Sequence, residues 1–139
     1  MAKEVLVTET LSEQMVAAGL KLVERLDADH AGVAGVFWLF HSEEKRWELT
    51  IASPLVVTEG PRKFYKRVFA ANQQASAEEY VISLHDIAVT GIDHQIVQLL
   101  RLAIDTGVGV SGVRFSRNTV NGVFIEDAYV YRSEKSTSP

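Results

Sequence analysis

Val113-Arg-Phe-Ser-Arg-Asn-Thr-Val120-Asn121-Gly122-Val123-Phe-Ile-Glu-Asp-Ala-Tyr-Val-Tyr131 carries the most explicit structural instruction in the chain. Asn-Gly adopts the positive backbone angles of a two-residue turn at little cost, and that turn twists in the sense of the strands it joins. The flanking residues are rich in β-branched and aromatic types, so the stretch predicts a hairpin with strands at 113–120 and 123–131. A two-residue turn pairs Val120 with Val123, and counting outward sets Arg117 opposite Glu126, Phe115 opposite Ala128 and Val113 opposite Val130. That face is apolar and is expected to close with an Arg117–Glu126 ion pair. The other face sets Ser116 against Asp127 and Arg114 against Tyr129, and is expected to be polar and more exposed.

Upstream, Val33-Ala-Gly-Val-Phe-Trp-Leu-Phe40 is apolar on both faces, while Trp47-Glu-Leu-Thr-Ile-Ala52 alternates with Trp47, Leu49 and Ile51 on one side. The polar segment 41–46 between them suits a hairpin loop, which makes the pair antiparallel, and Pro54 ends the pairing. Helical spacing of Leu11, Met15, Ala18, Leu22 and Leu26 predicts a first helix, started by Thr10 and Glu13 as a capping box and ended near Asp29. A second helix begins at Pro61, buries Phe64, Tyr65, Val68 and Phe69, and fades around 72–75. Ser76 and Glu79 have the spacing of a cap for a short turn, but Tyr80–Leu84 and Ile87–Val89 read as extended, so a strand ending at Val89 is expected. Thr90 and Asp93 then cap a third helix, with apolar residues at 92, 96, 99, 100 and 103 and Gly107 as its stop. Val97, Leu102 and Ile104 widen its apolar arc beyond one stripe, which implies packing on two sides or a subunit contact.

The expected fold is therefore α+β: about three helices packed on a mixed, mostly antiparallel sheet of five to six strands in the order αββαβαββ, the sixth an edge strand at Val5–Val7. Residues 1–132 form one domain, and 133–139 are expected to be a disordered tail.

A chain of 139 residues is long enough to bury about two thirds of its unfolded surface. With 47% apolar and 23% charged residues it has an ordinary globular composition, and it contains no run of about 20 apolar residues that would span a membrane. It has no cysteine, which excludes disulfides, thiolate zinc sites, iron–sulfur clusters and a cysteine nucleophile. The start Met1-Ala-Lys-Glu-Val-Leu-Val7 lacks the apolar core of a signal peptide, so a cytoplasmic location is expected. A net charge of -4 disfavours general nucleic-acid binding and leaves only a local patch to support it.

Gly107-Val-Gly109-Val-Ser-Gly112 spells a dinucleotide-binding pattern, but it follows a helix and leads into a strand, the reverse of the order that aims amides at pyrophosphate. Three of the four histidines adjoin an aspartate (Asp29-His30, His85-Asp86, Asp93-His94), yet neighbours on a strand or helix diverge and do not chelate. No metal site is expected. His94, Gln98, Arg101 and Asp105 form a polar stripe, with Arg101 and Asp105 spaced for an ion pair. Glu48-Leu-Thr50 lacks the lysine that a magnesium nuclease places two positions after its acid.

The most suggestive cluster is Thr58, Arg62, Lys63, Lys66 and Arg67 around the start of the second helix. Cations there oppose the helix dipole, and with the free amides they make an arrangement suited to an anion. Arg114 and Arg117 with Tyr129 and Tyr131 would extend such a surface toward nucleic acid by adding aromatic faces. The sequence thus predicts a non-enzymatic binding or accessory domain acting through protein contacts, in a homo-oligomer or with a protein partner, with no cofactor and no membrane association. Its alternative is a protein that binds a phosphate-bearing ligand or nucleic acid at the patch beginning near Pro61. An enzymatic role would fall first to His94, with Asp93 beside it, as acid or base.

Overall fold

The computed structural model describes residues 2–134. Strand β1 (Lys3–Glu4) precedes helix α1 (Glu13–Ala28), and the hairpin β2 (Gly35–His41) and β3 (Arg46–Ala52) follows. Helices α2 (Pro54–Thr58) and α3 (Pro61–Gln73) lead to β4 (Tyr80–Val81) and β5 (Ile87–Thr90), and then come α4 (Gln95–Ala103) and the hairpin β6 (Val113–Val120) and β7 (Val123–Ser133). The main sheet has the order β5-β3-β2-β7-β6, with β3 and β5 parallel and the other neighbours antiparallel; β1 and β4 form a separate parallel pair. This is the α+β class expected, with one more helix: Ser53 caps α2 through its hydroxyl and Pro54 stands at the helix start, where its missing donor costs nothing.

The two faces of the sheet carry separate cores. Val36 and Trp38 of β2, with Leu49 and Ile51 of β3, pack under α1 and α3 against Leu22 and Phe64. Phe37 points the opposite way and joins Val97 and Leu100 of α4 with Ala128 and Val130 of β7.

Helix α1 starts two residues later than its expected cap: the Ser12 hydroxyl, not Thr10, accepts the Met15 N–H at 3.2 Å. Its C-terminus is a Schellman turn, with His30 N–H bonded to Asp27 O and Ala31 N–H to Leu26 O, both at 3.0 Å. His30 sits at the left-handed position with φ 55°, where a β-carbon is disfavoured and glycine is the usual choice. His30→Gly is therefore expected to raise stability by about 1 kcal/mol, read as a higher urea midpoint with an unchanged slope.

The terminal hairpin has the expected register, Val120 with Val123 through Val113 with Val130, except at one pair. Arg117 takes φ 48° and leaves the ladder, and it makes no ion pair with Glu126. Ile125 and Ala128, three residues apart, both join the same core, so the in-out alternation slips at this kink. The polar face is as expected. Arg114 grips Asp127 with two bonds of 2.6 Å and Ser116 adds one of 2.7 Å. Burial pushes the Asp127 carboxyl up, but these donors outweigh it and hold the group below its ordinary range.

A second irregularity lies in β7. Val36 pairs with Arg132 but Phe37 pairs with Val130, which leaves Tyr131 as the extra residue of a β-bulge. In consequence two successive side chains both reach α1. The Tyr131 hydroxyl donates to Val16 O at 2.7 Å and accepts the Trp38 Nε1–H at 2.9 Å, while Arg132 binds Asp27. Burial pushes the Tyr131 hydroxyl well above its ordinary range. Gly19 on α1 lets the phenol approach: a β-carbon there would lie inside contact distance of the Tyr131 hydroxyl.

Other expectations need correction. The strand expected to end at Val89 is broken: β4 and β5 are separated by a 3-10 turn at Leu84–Asp86, started by a bond from His85 N–H to the Ser83 hydroxyl. Thr90 ends β5, and α4 is capped by His94, not by Thr90 and Asp93. On α3, Phe64 and Val68 are buried as expected, but Phe69 is half exposed and Tyr65 is only partly covered, with its hydroxyl bonded to Ile87 O at 3.0 Å. Helix α4 ends at Ala103, before Gly107. The edge strand expected at Val5–Val7 falls earlier, at Lys3–Glu4, although Val5 N–H still bonds to Val81 O. Strand β7 runs through Ser133, the first residue of the expected tail, and 135–139 lie outside the described residues. No helix is long and apolar enough to cross a membrane among the described residues.

Candidate functional site

In the basic patch at α3 one of the four cations, Arg67, is engaged by carboxylates of this chain. Arg67 is engaged by Glu59 through Nε and Nη2, both at 3.2 Å, and by Asp29 through Nη1 at 2.8 Å. These bonds raise its already high pKa, Glu59 contributing most. Arg62, Lys63 and Lys66 are exposed, and the Thr58 hydroxyl turns back to Pro54 O at 3.4 Å. Asp93 and His94 are both exposed, and the His94 Nδ1 accepts the Ile96 N–H at 3.3 Å, so one ring nitrogen is engaged in capping. No group of three or more histidine or acidic side chains could hold a metal ion among the described residues. Gly107, Gly109 and Gly112 lie between α4 and β6, the wrong side of a helix for a phosphate loop. Arg114 and Arg117 line one cavity beside Trp47, where Arg114 is held by Asp127 and lies over the Trp47 ring at 5.3 Å.

A different set of residues converges on a cleft of about 720 Å³. Asp27 and His30 come from the Schellman end of α1, Val33 from the connection to β2, Arg101 from α4, and Arg132 and Glu134 from the end of β7. Pro54, Ile92 and Val108 supply apolar wall. The bulge at Tyr131 is what turns Arg132 to this side of the sheet.

Arg132 is 5% exposed and nearly saturated. Its Nη1 donates to Asp27 Oδ1 at 2.9 Å and to Val33 O at 3.0 Å, its Nη2 to Asp27 Oδ2 at 2.8 Å, and its Nε to Gly109 O at 3.3 Å. A guanidinium has five N–H donors, so this pair with Asp27 is a structural clamp more than a vacant receptor. The Asp27 bonds, ahead of the opposing effect of burial, raise the Arg132 pKa.

Arg101 differs. Its expected partner Asp105 lies beyond the end of α4, outside the helical spacing that would align them, and accepts the Gly107 N–H at 2.9 Å instead. Arg101 Nε is buried without a hydrogen-bond partner among the described residues. An orphaned buried donor on a cation is costly, and such groups are rare unless a water, an ion or a ligand completes them. The lining of the cleft thus includes the Arg101 side chain and an apolar wall. It has the parts for holding an anion, and no nucleophile with an adjacent base lines it.

Sequence reasoning assigned Arg101 to a solvated stripe and left Arg132 unremarked. The widened apolar arc of α4 gave no signal for either, because Leu102 in that arc is exposed and the helix buries Val97, Leu99 and Leu100. Comparison with family models, with curated proteins and with solved structures finds no match to this chain.

Proposed function

We propose that this protein is a non-enzymatic binding domain whose cleft between the end of α1, α4 and the end of β7 takes a small organic anion. The observation that carries this reading is the Arg101 side chain in the lining of a cleft with the volume of a small-molecule site, its Nε buried and without a partner among the described residues. A carboxylate or phosphate oxygen pairs with the part of the Arg101 guanidinium that lines the cleft, and Val33, Pro54, Ile92 and Val108 cover the apolar body attached to it. The phosphate-binding alternative at α3 has less support, because Arg67 is engaged by Glu59 and Asp29.

Arg101→Met separates binding from folding. Without ligand the variant is expected to be more stable than the parent by about 1 kcal/mol, since it removes an unsatisfied donor and keeps the aliphatic stem. In thermal unfolding, benzoate and phenyl phosphate are expected to stabilise the parent and to leave the variant unmoved. A variant that is less stable than the parent, or that responds equally to these probes, refutes the reading.

A role through protein contacts, in a homo-oligomer or with a protein partner, is supported by Leu102 on α4, which is 66% exposed, and by Val108, which is 75% exposed. The kink at Arg117 argues against pairing through the β6 edge. Sedimentation velocity across a concentration series tests self-association directly, and a monomer throughout removes it.

A further inference from the structure

We infer that the ligand of this cleft is a zwitterion, with a carboxylate bound by Arg101, an ammonium bound by Glu134, and an apolar body between or beside them. The inference rests on the reading of the cleft as an anion site and adds the second charge. Five titratable side chains line it: Asp27, His30, Arg101, Arg132 and Glu134. Asp27 and Arg132 pair through two bonds of 2.8 to 2.9 Å, and Glu134 lies near enough to act on Arg132 by charge without bonding to it. That leaves three groups, His30, Arg101 and Glu134, of which Arg101 carries a fixed positive charge and Glu134 is the carboxylate. Neither Arg101 nor Glu134 makes a side-chain hydrogen bond or ion pair among the described residues, and no N···O distance within 4.0 Å joins them to each other.

Two opposite charges that share a cleft without meeting define a dipole to be bridged. A simple carboxylate satisfies Arg101 but leaves Glu134 as a nearby like charge, and a phosphate dianion makes that repulsion larger. A molecule with both groups satisfies both and adds no net charge to a lining that is already balanced. The apolar residues Val33, Pro54, Ile92 and Val108 suit an aliphatic body over a polar one. The cleft volume admits more than one separation between the two charged ends, so free apolar amino acids, ω-amino acids and short apolar peptides all belong to the class.

The test is calorimetric titration of the full chain with leucine, 6-aminohexanoate and leucyl-leucine, and then with the N-acetylated and C-amidated forms of the best of these. At least one zwitterion is expected to bind, with its N-acetylated form weaker by about tenfold or more, the size of one lost charge contact. Glu134→Gln is expected to erase that preference while leaving the N-acetylated form bound as before. Arg101→Met is expected to abolish both. An N-acetylated form that binds as well as its parent, or a Glu134→Gln variant that still discriminates, overturns the zwitterion and leaves the anion site standing. Binding of benzoate and phenyl phosphate with none of the zwitterions has the same meaning. A protein that binds nothing in either panel overturns the anion site as well.

Discussion

Gly19→Ala is expected to destabilise the protein by about 3 kcal/mol, although alanine is the better helix former by roughly 1 kcal/mol. The reversal of sign comes from Tyr131. Its phenol lies across α1 at Gly19, fixed by the bond to Val16 O on one side and the Trp38 indole on the other, and a β-carbon would occupy the place of its hydroxyl. Tyr131 and Trp38 are both essentially fully buried, so neither can move aside without opening the core between α1 and the sheet. The measurement is the urea midpoint at constant slope. A gain in stability, as at an exposed helical glycine, would show that the ring does not dock on the helix.

Arg132→Met is expected to cost about 3 to 4 kcal/mol. The substitution keeps the volume near the stem but removes both bonds to Asp27 and those to the carbonyls of Val33 and Gly109. Asp27→Asn should cost less, because the asparagine keeps one side-chain oxygen as an acceptor and Arg132 keeps its bonds to Val33 O and Gly109 O. The segment between α4 and β6 is also expected to loosen. It is held to β7 by the bond to Gly109 and by Ser111 N–H to Tyr131 O at 2.7 Å, so amide exchange at Ser111 should accelerate in Arg132→Met beyond the global loss. A loss within about 1 kcal/mol, with Ser111 unchanged, would mean the clamp does not hold this end of the fold.

The α+β class, both hairpins and helices α1 and α3 were legible because each rests on local chemistry: an Asn-Gly turn, a period of two or of 3.6, a proline at a helix start. The terminal register was legible to within one pair, and it failed at Arg117, where a backbone kink no side-chain pattern announces takes the arginine out of the ladder. The segment 80–90 was misread because the first contacts of Tyr80 and Val81 are with β1, far away in the sequence, and periodicity carries no information about partners. The candidate cleft was illegible for a related reason. Arg132 faces α1 because Tyr131 bulges, and α4 stops before Asp105, which leaves Arg101 Nε without a partner among the described residues. A difference of one or two residues in where an element ends decides both, and composition is blind to it. The patch on α3 was visible in the sequence for the opposite reason, since adjacent cations stand out, but the glutamate and aspartate that engage Arg67 come from other turns of the chain.

The position of β7 bears on how the chain is made. It follows β6 in the chain yet lies between β6 and β2, so during synthesis β2 and β3 exist as a hairpin well before residues 123–133 leave the ribosome. Throughout that interval the outer edge of β2, from Gly35 to Leu39, presents unpaired amides beside Val36, Phe37 and Trp38. A nascent chain at this stage is an apolar ribbon with one open side, the kind of surface on which chaperones act and from which aggregates grow. Pairing of β7 closes it and brings Tyr131 and Arg132 against α1 in the same step, so burial of the ribbon and fixation of the first helix are one late event in the life of the molecule.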